Sequence, residues 1–144
     1  MKPEYSYVFP KSRRLSSKKE IDSLFSEGHT FSSGPFRVFY RLCQSNNSGL
    51  PECRIAVAVP KKHLKSAVKR NLVKRRIKES FRLLYPHKLE PTLIQTRSRL
   101  LFLCLYLPYD IKPWHVTEEK MGILLSQFSE LCKENAGLTT HPVG

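Results

Sequence analysis

Acidic residues are scarce in this sequence: 12 Asp and Glu stand against 25 Lys and Arg, for a formal net charge of +13. The imbalance argues against cationic partners and for an anionic polymer, with nucleic acid ahead of an anionic membrane surface. Long apolar runs are missing too. None approaches the roughly 18 to 20 residues that a bilayer-spanning helix needs, and the opening MKPEYSYVFPKSRR lacks the apolar core of a secretory signal. A cytoplasmic chain with no membrane partner is expected. The four cysteines, Cys43, Cys53, Cys104 and Cys132, lie in or near apolar segments with no metal-type spacing, and are read as reduced packing residues. The five histidines are isolated from one another and from the cysteines, which argues against zinc. Gly28, Gly34 and Gly49 stand alone, so no phosphate-cradling loop is present. Asp22, Asp110 and the glutamates do not cluster, which leaves no carboxylate set for a protein-borne nuclease.

What is present suits one α+β domain: 144 residues, 40% of them hydrophobic, can bury a core without disulfides or metal. Residues 1–14 read as a basic arm, 15–134 as the folded domain and 135–144 as a loose tail. Ser17-Lys-Lys-Glu20 fits a capping box, Ile21, Leu24 and Phe25 follow at helical spacing, and Gly28 is the expected stop. Residues 36–42 alternate as a strand, with Phe36, Val38, Tyr40 and Leu42 on one face and Arg37, Phe39 and Arg41 on the other. An aromatic between two arginines is either a platform for a base and its phosphates or a residue lying under the first helix. The turn-rich QSNNSGLPE then predicts a hairpin to a second strand over residues 53–59, with Ile55, Val57 and Val59 toward the core and Arg54, Ala56 and Ala58 sharing the face of Phe39. Tyr85-Pro86 predicts the end of a helix, with a loop over 86–98. The doubly apolar RLLFLCLYL at 99–107 predicts a central strand, and Thr117 is placed as the cap of a last helix with the stripe Met121, Leu124, Leu125, Phe128, Leu131 and Cys132.

The most basic stretch, VPKKHLKSAVKRNLVKRRIKESFRLL at 59–84, keeps an apolar residue in nearly every turn, as a helix docked on a core would. At 3.6 residues per turn, Asn71, Lys74, Arg75, Lys78 and Arg82 fall within an arc of roughly 100°. Lys74/Lys78 and Lys78/Arg82 are repelling i,i+4 pairs, and no acid is expected on that face; a phosphate backbone would relieve them. Glu79 is expected to pair locally with Arg75, Arg76 or Arg82.

Lys61-Lys62 at a strand end, Ala67, and then the run from Arg70-Asn71 through Lys74-Arg75, Lys78-Glu79 and Phe81-Arg82 resemble the arginine-asparagine-arginine motif of the bacterial ribonuclease P protein family. Upstream, Arg14-Leu15, Phe25, Gly28, Phe36 and Phe39-Tyr40 fit the same family, so the resemblance covers roughly 11–133. It implies a mixed four-stranded sheet with three helices and a left-handed βαβ crossover, as in a domain of certain ribosomal proteins. It implies a protein subunit without catalytic side chains that assists a catalytic RNA in cutting the 5′ leader from precursor tRNA. Mg2+ would serve the RNA-protein holoenzyme, with no ion held tightly by the protein and a metal near Asn71 in the complex. By residue-by-residue match, Lys61, Lys62, Arg70, Asn71, Lys74, Arg75, Lys78 and Arg82 would meet the catalytic RNA. Ile21, Phe25, Phe36, Arg37, Phe39 and Arg54 would belong to the leader cleft, although some members carry phenylalanine where Ile21 stands. Leu64 and Ser66 fall in a connection that is shorter in many members. The free protein is expected to be monomeric, and the fourth strand is expected near Phe31 or in the loops. The rival reading is a ribosomal or ribosome-assembly RNA-binding protein on a related fold.

Overall fold

The computed structural model describes residues 18–44 and 52–136. The N-terminal arm, Ser17 of the expected capping box, most of the QSNNSGLPE turn and nearly all of the expected tail lie outside the described residues. Eight elements follow in order: α1 (Lys18–Glu27), β1 (His29–Ser33), β2 (Phe36–Gln44), β3 (Glu52–Ala58), α2 (Ala67–Lys88), α3 (Glu90–Thr96), β4 (Ser98–Tyr106) and α4 (Trp114–Asn135). The sheet is mixed, in the order β1-β2-β4-β3. β1 and β4 both run antiparallel to β2, while β3 runs parallel to β4 and reaches it through α2 and α3.

The fourth strand, expected near Phe31 or in the loops, is β1, which contains Phe31. It joins β2 through Gly34-Pro35, with Ser33 opposite Phe36. Gly34 sits at φ +56°, a left-handed conformation that favours glycine, and a Cβ there would also push aside the Lys120 side chain, 2.8 Å away. The expected hairpin between 36–42 and 53–59 does not form, because β4 lies between the two strands. Turn chemistry reports that the chain reverses, not which strand it then pairs with. β4, apolar on both sides, takes the central place.

Three further boundaries differ from expectation. α2 continues through Pro86 to Lys88. The proline removes one amide donor, but Phe81, Tyr85 and Leu89 are all buried in the core, and their packing holds the helix through it. Residues 90–96, expected as loop, form the short α3, which makes four helices instead of three among the described residues. α3 docks through Leu93 in the core and through Thr92 Oγ1, 2.6 Å from Ser129 Oγ of α4. α4 begins at Trp114 with Pro113 as its N-cap residue, and the amides of Val116 and Thr117 donate to the Pro113 carbonyl; Thr117 itself is buried inside the helix.

The main core fills the face of Val38, Ile55, Phe102 and Cys104 against α2, α3 and α4. Phe81, Phe102, Phe128 and Phe31 are linked ring to ring across it. Cys53, Cys104 and Cys132 are buried free thiols, as expected of packing residues; burial pushes Cys132 up to about 11, against a hydrogen bond involving Ser98. Cys43, by contrast, is exposed at the strand end.

Candidate nucleic-acid interface

The basic helix starts later than its charge does. Residues 59–66 form a loop in which Val59 and Leu64 are buried and Ser66 caps α2, its hydroxyl accepting from the Lys69 amide at 3.3 Å. The two residues in the family-variable connection therefore have work in the fold, one as anchor and one as cap. Lys61 and Lys62 are exposed on the turn between the buried Val59 and Leu64. Arg70 donates from Nη1 to the carbonyls of Leu64 and Lys65, both at 2.9 Å, so it braces the loop that carries the lysines.

Within α2, Val73, Ile77, Ser80, Phe81 and Tyr85 face the core. The opposite side forms a shallow groove of about 300 Å³ lined by Asn71, Lys74, Arg75, Lys78, Glu79 and Arg82. Five of these are the stripe read from the sequence. The sixth corrects the expectation of an acid-free face: Glu79 accepts from Arg82 Nε at 3.1 Å and pairs with its Nη2, and these hydrogen bonds hold its carboxyl below the usual range. One cation of the stripe is thus partly neutralised in the free protein, and the local pair anticipated for Glu79 is with Arg82.

The other sheet face is organised by register. Three rows cross it: Arg37–Leu105–Ala58, Phe39–Leu103–Ala56 and Arg41–Leu101–Arg54. α1 packs here through Leu24, which is buried with Leu101 and Leu103, while Ile21, Phe39, Ala56, Ala58 and Leu105 border the cluster. Gly28 closes the helix against β2, where a Cβ would meet the Leu24 and Tyr40 carbonyl oxygens at 2.6 and 2.9 Å. Phe25 is 51% exposed and lies against Phe39, ring centroids 4.7 Å apart. Phe39 therefore lies against the first helix and forms an aromatic pair with Phe25 at its edge. Arg37 is exposed on the same face.

Phe36 does not join them. It is fully buried on the opposite face, next to Tyr106, because β2 alternates and Phe36 is an odd number of residues from Phe39. Its contribution to a cleft is to hold β2 in place. Arg54 is on the correct face but engaged: it lies 3.4 Å from Glu20 of α1 and 3.6 Å from Glu52, and Arg99 bridges the same two acids at 3.7 and 2.9 Å. Arg99 and Glu52 escaped sequence reading because only the β3–β4 register brings them opposite each other. The network fastens α1 to the sheet.

Among the described residues no three His, Cys, Asp or Glu side chains gather where they could hold a metal ion. The groove at Asn71 has one carboxylate, already paired with Arg82, amid cations, which does not suit a divalent ion bound by protein alone. No helix among the described residues is long and apolar enough to cross a membrane.

Fold and surface together define a small α+β domain that presents a cationic helix beside an aromatic sheet face, a surface of the nucleic-acid-binding kind. The family profile described as Ribonuclease P matches residues 9–99, more than half of the chain, and the chain belongs to that family. The Ribonuclease P protein component of Porphyromonas gingivalis is 42% identical over 78 residues, 54% of this chain and 56% of the relative. That of Vibrio vulnificus is 36% identical over 77 residues, 54% of this chain and 61% of the relative. The aligned part of the chain thus spans less than two thirds of the length of these relatives. The structure of the ribonuclease P protein from Thermotoga maritima shares the fold, with a TM-score of 0.61 at 20% identity over 79% of this chain and 96% of that one.

Proposed function

We propose that this chain is the protein subunit of a bacterial ribonuclease P, binding the catalytic RNA through one surface and the 5′ leader of precursor tRNA through another. The observation that carries the reading is the α2 groove: Asn71, Lys74, Arg75, Lys78 and Arg82 of the family motif line one open surface, while Val73, Ile77 and Phe81 between them are buried. Regularly spaced cations on a rigid helix match regularly spaced phosphates. Lys61 and Lys62 extend that surface, and Arg70 acts chiefly by bracing their loop. The leader lies along Arg37, Phe39, Phe25 and Ile21, where Ala56 and Ala58 let a backbone come close to the sheet. Arg54 positions α1 through Glu20. The protein supplies no catalytic side chain; Mg2+ is held by the RNA, and the complex works in the cytoplasm with a monomeric protein.

The test is reconstitution. Added to a bacterial ribonuclease P RNA at low magnesium, the protein should restore cleavage of precursor tRNA at the mature 5′ end. Cleavage that stays at the RNA-alone level under saturating protein would reject this reading and favour a ribosomal or ribosome-assembly RNA-binding protein on the same fold.

A further inference from the structure

We infer that Tyr109, stacked on His63 beside Lys61 and Lys62, is a preformed platform for one unpaired RNA base. The inference rests on the proposed function and extends the RNA surface beyond α2 to the loop that follows β4. The two rings lie with centroids 4.1 Å apart and 29° between their planes. Tyr109 is nevertheless 70% exposed, so one face of its ring rests on the imidazole and the other is open.

An exposed tyrosine alone is ordinary; the scaffold beneath this one is what sets it apart. On the β3–α2 side, the amides of His63 and Leu64 donate to the Pro60 carbonyl at 3.0 and 3.2 Å, Leu64 is buried, and Arg70 holds the Leu64 and Lys65 carbonyls. On the β4–α4 side, the Tyr106 hydroxyl donates to the Asp110 carbonyl at 2.7 Å and accepts from the Lys112 amide at 3.1 Å. Arg76 of α2 then donates to the Lys112 carbonyl at 3.2 Å. Both loops are pinned to the frame, so little freedom remains to be lost when a ligand binds.

The surrounding charge selects the ligand. Lys61 and Lys62 are exposed immediately before His63, and Asp110, the acid next to Tyr109, is engaged by Lys112 Nζ at 3.3 Å. An open aromatic face flanked by cations suits an unpaired base with its phosphates. A continuous duplex offers no free base face, and an apolar peptide would make no use of the lysines.

Two measurements test the platform separately from the proposed function. The first uses a single-stranded RNA hexamer with a central 2-aminopurine, bound at low salt to the full chain carrying Phe25→Ala, which removes the exposed member of the other aromatic pair. Stacking should quench the fluorophore; the quenching should persist with Tyr109→Phe and disappear with Tyr109→Ala. Quenching that survives Tyr109→Ala, or that Tyr109→Phe abolishes equally, overturns the inference. The second measures affinity for ribonuclease P RNA with Phe25 intact. Tyr109→Ala should weaken it about tenfold, with the slope of log affinity against log salt unchanged because no charge is lost. Unchanged affinity overturns the assignment of the platform to that RNA. If the unsubstituted protein does not prefer ribonuclease P RNA over another structured RNA of equal length, the proposed function fails, and the hexamer result still decides the platform.

Discussion

The two faces of the sheet are built to different depths. One carries Val38, Ile55, Phe102 and Cys104 under three helices, with rings from β1, β4, α2 and α4 in contact across the core. The other, among the described residues, carries a single helix over Leu101 and Leu103, borders that cluster with alanines, and leaves half of Phe25 in water. Apolar burial scales with area removed from water, so the first face holds the fold together and the second has aromatic surface to spare for a ligand. A stable frame beside a thin, aromatic-lined face lets residues of that face vary without unfolding the domain.

The largest effect should come from the deep face. Phe102→Ala should cost about 3–5 kcal/mol in urea denaturation, since it empties the centre of the aromatic cluster. If the loss is below about 1 kcal/mol, the deep face does not carry the fold. Leu24→Ala on the thin face should cost about 2 kcal/mol, the low end for such a truncation, because α1 can settle into the space. Amide exchange of α1 should rise while that of α2 and α4 stays put; uniform acceleration would mean that the two faces unfold as one.

Phe39→Ala should weaken binding of precursor tRNA by about 1–2 kcal/mol and leave mature tRNA almost unaffected. Equal losses for both would assign Phe39 to packing. On α2, Lys74→Ala should flatten the slope of log affinity against log salt by about 0.7–0.9, and an unchanged slope would place Lys74 away from phosphate. Smallest is the effect of Glu79. Its carboxyl is held low by Arg82, so the stabilisation is present above the unfolded-state value and is lost as pH falls through the lower folded one. The pair is only half-buried and is screened by solvent, so Glu79→Gln should alter the loss of stability between pH 7 and pH 3 by only about 0.2–0.5 kcal/mol. A larger change would mean that Glu79 organises the whole stripe.

Much of the candidate interface was legible because it is local. The α2 stripe depends only on helical spacing, and its members line one groove. The alternation of β2 placed Phe39 and Arg37 on one face and could have excluded Phe36 from it; the family match placed Phe36 in the cleft, against its own strand periodicity. Pro86 was misread because a helix-breaking cost of about 3 kcal/mol is decisive only when packing does not offset it, and Tyr85 and Leu89 are both buried. Glu20, Glu52, Arg54 and Arg99 are scattered over 80 residues of sequence, and no local pattern marks them as one network.

By itself the sequence determined the elements whose signal repeats within a turn or a strand: α1, the alternating faces of β2 and β3, the apolar β4, the stripe of α4 and the cationic side of α2. It also carries the net charge and the helical spacing of cations on which the proposed nucleic-acid partner rests. Only the tertiary structure decided that β4 separates β2 from β3, that Arg54 fastens α1, and that Tyr109 meets His63. Each of these joins residues far apart in the chain, and which distant surfaces meet is settled by the burial of the whole core.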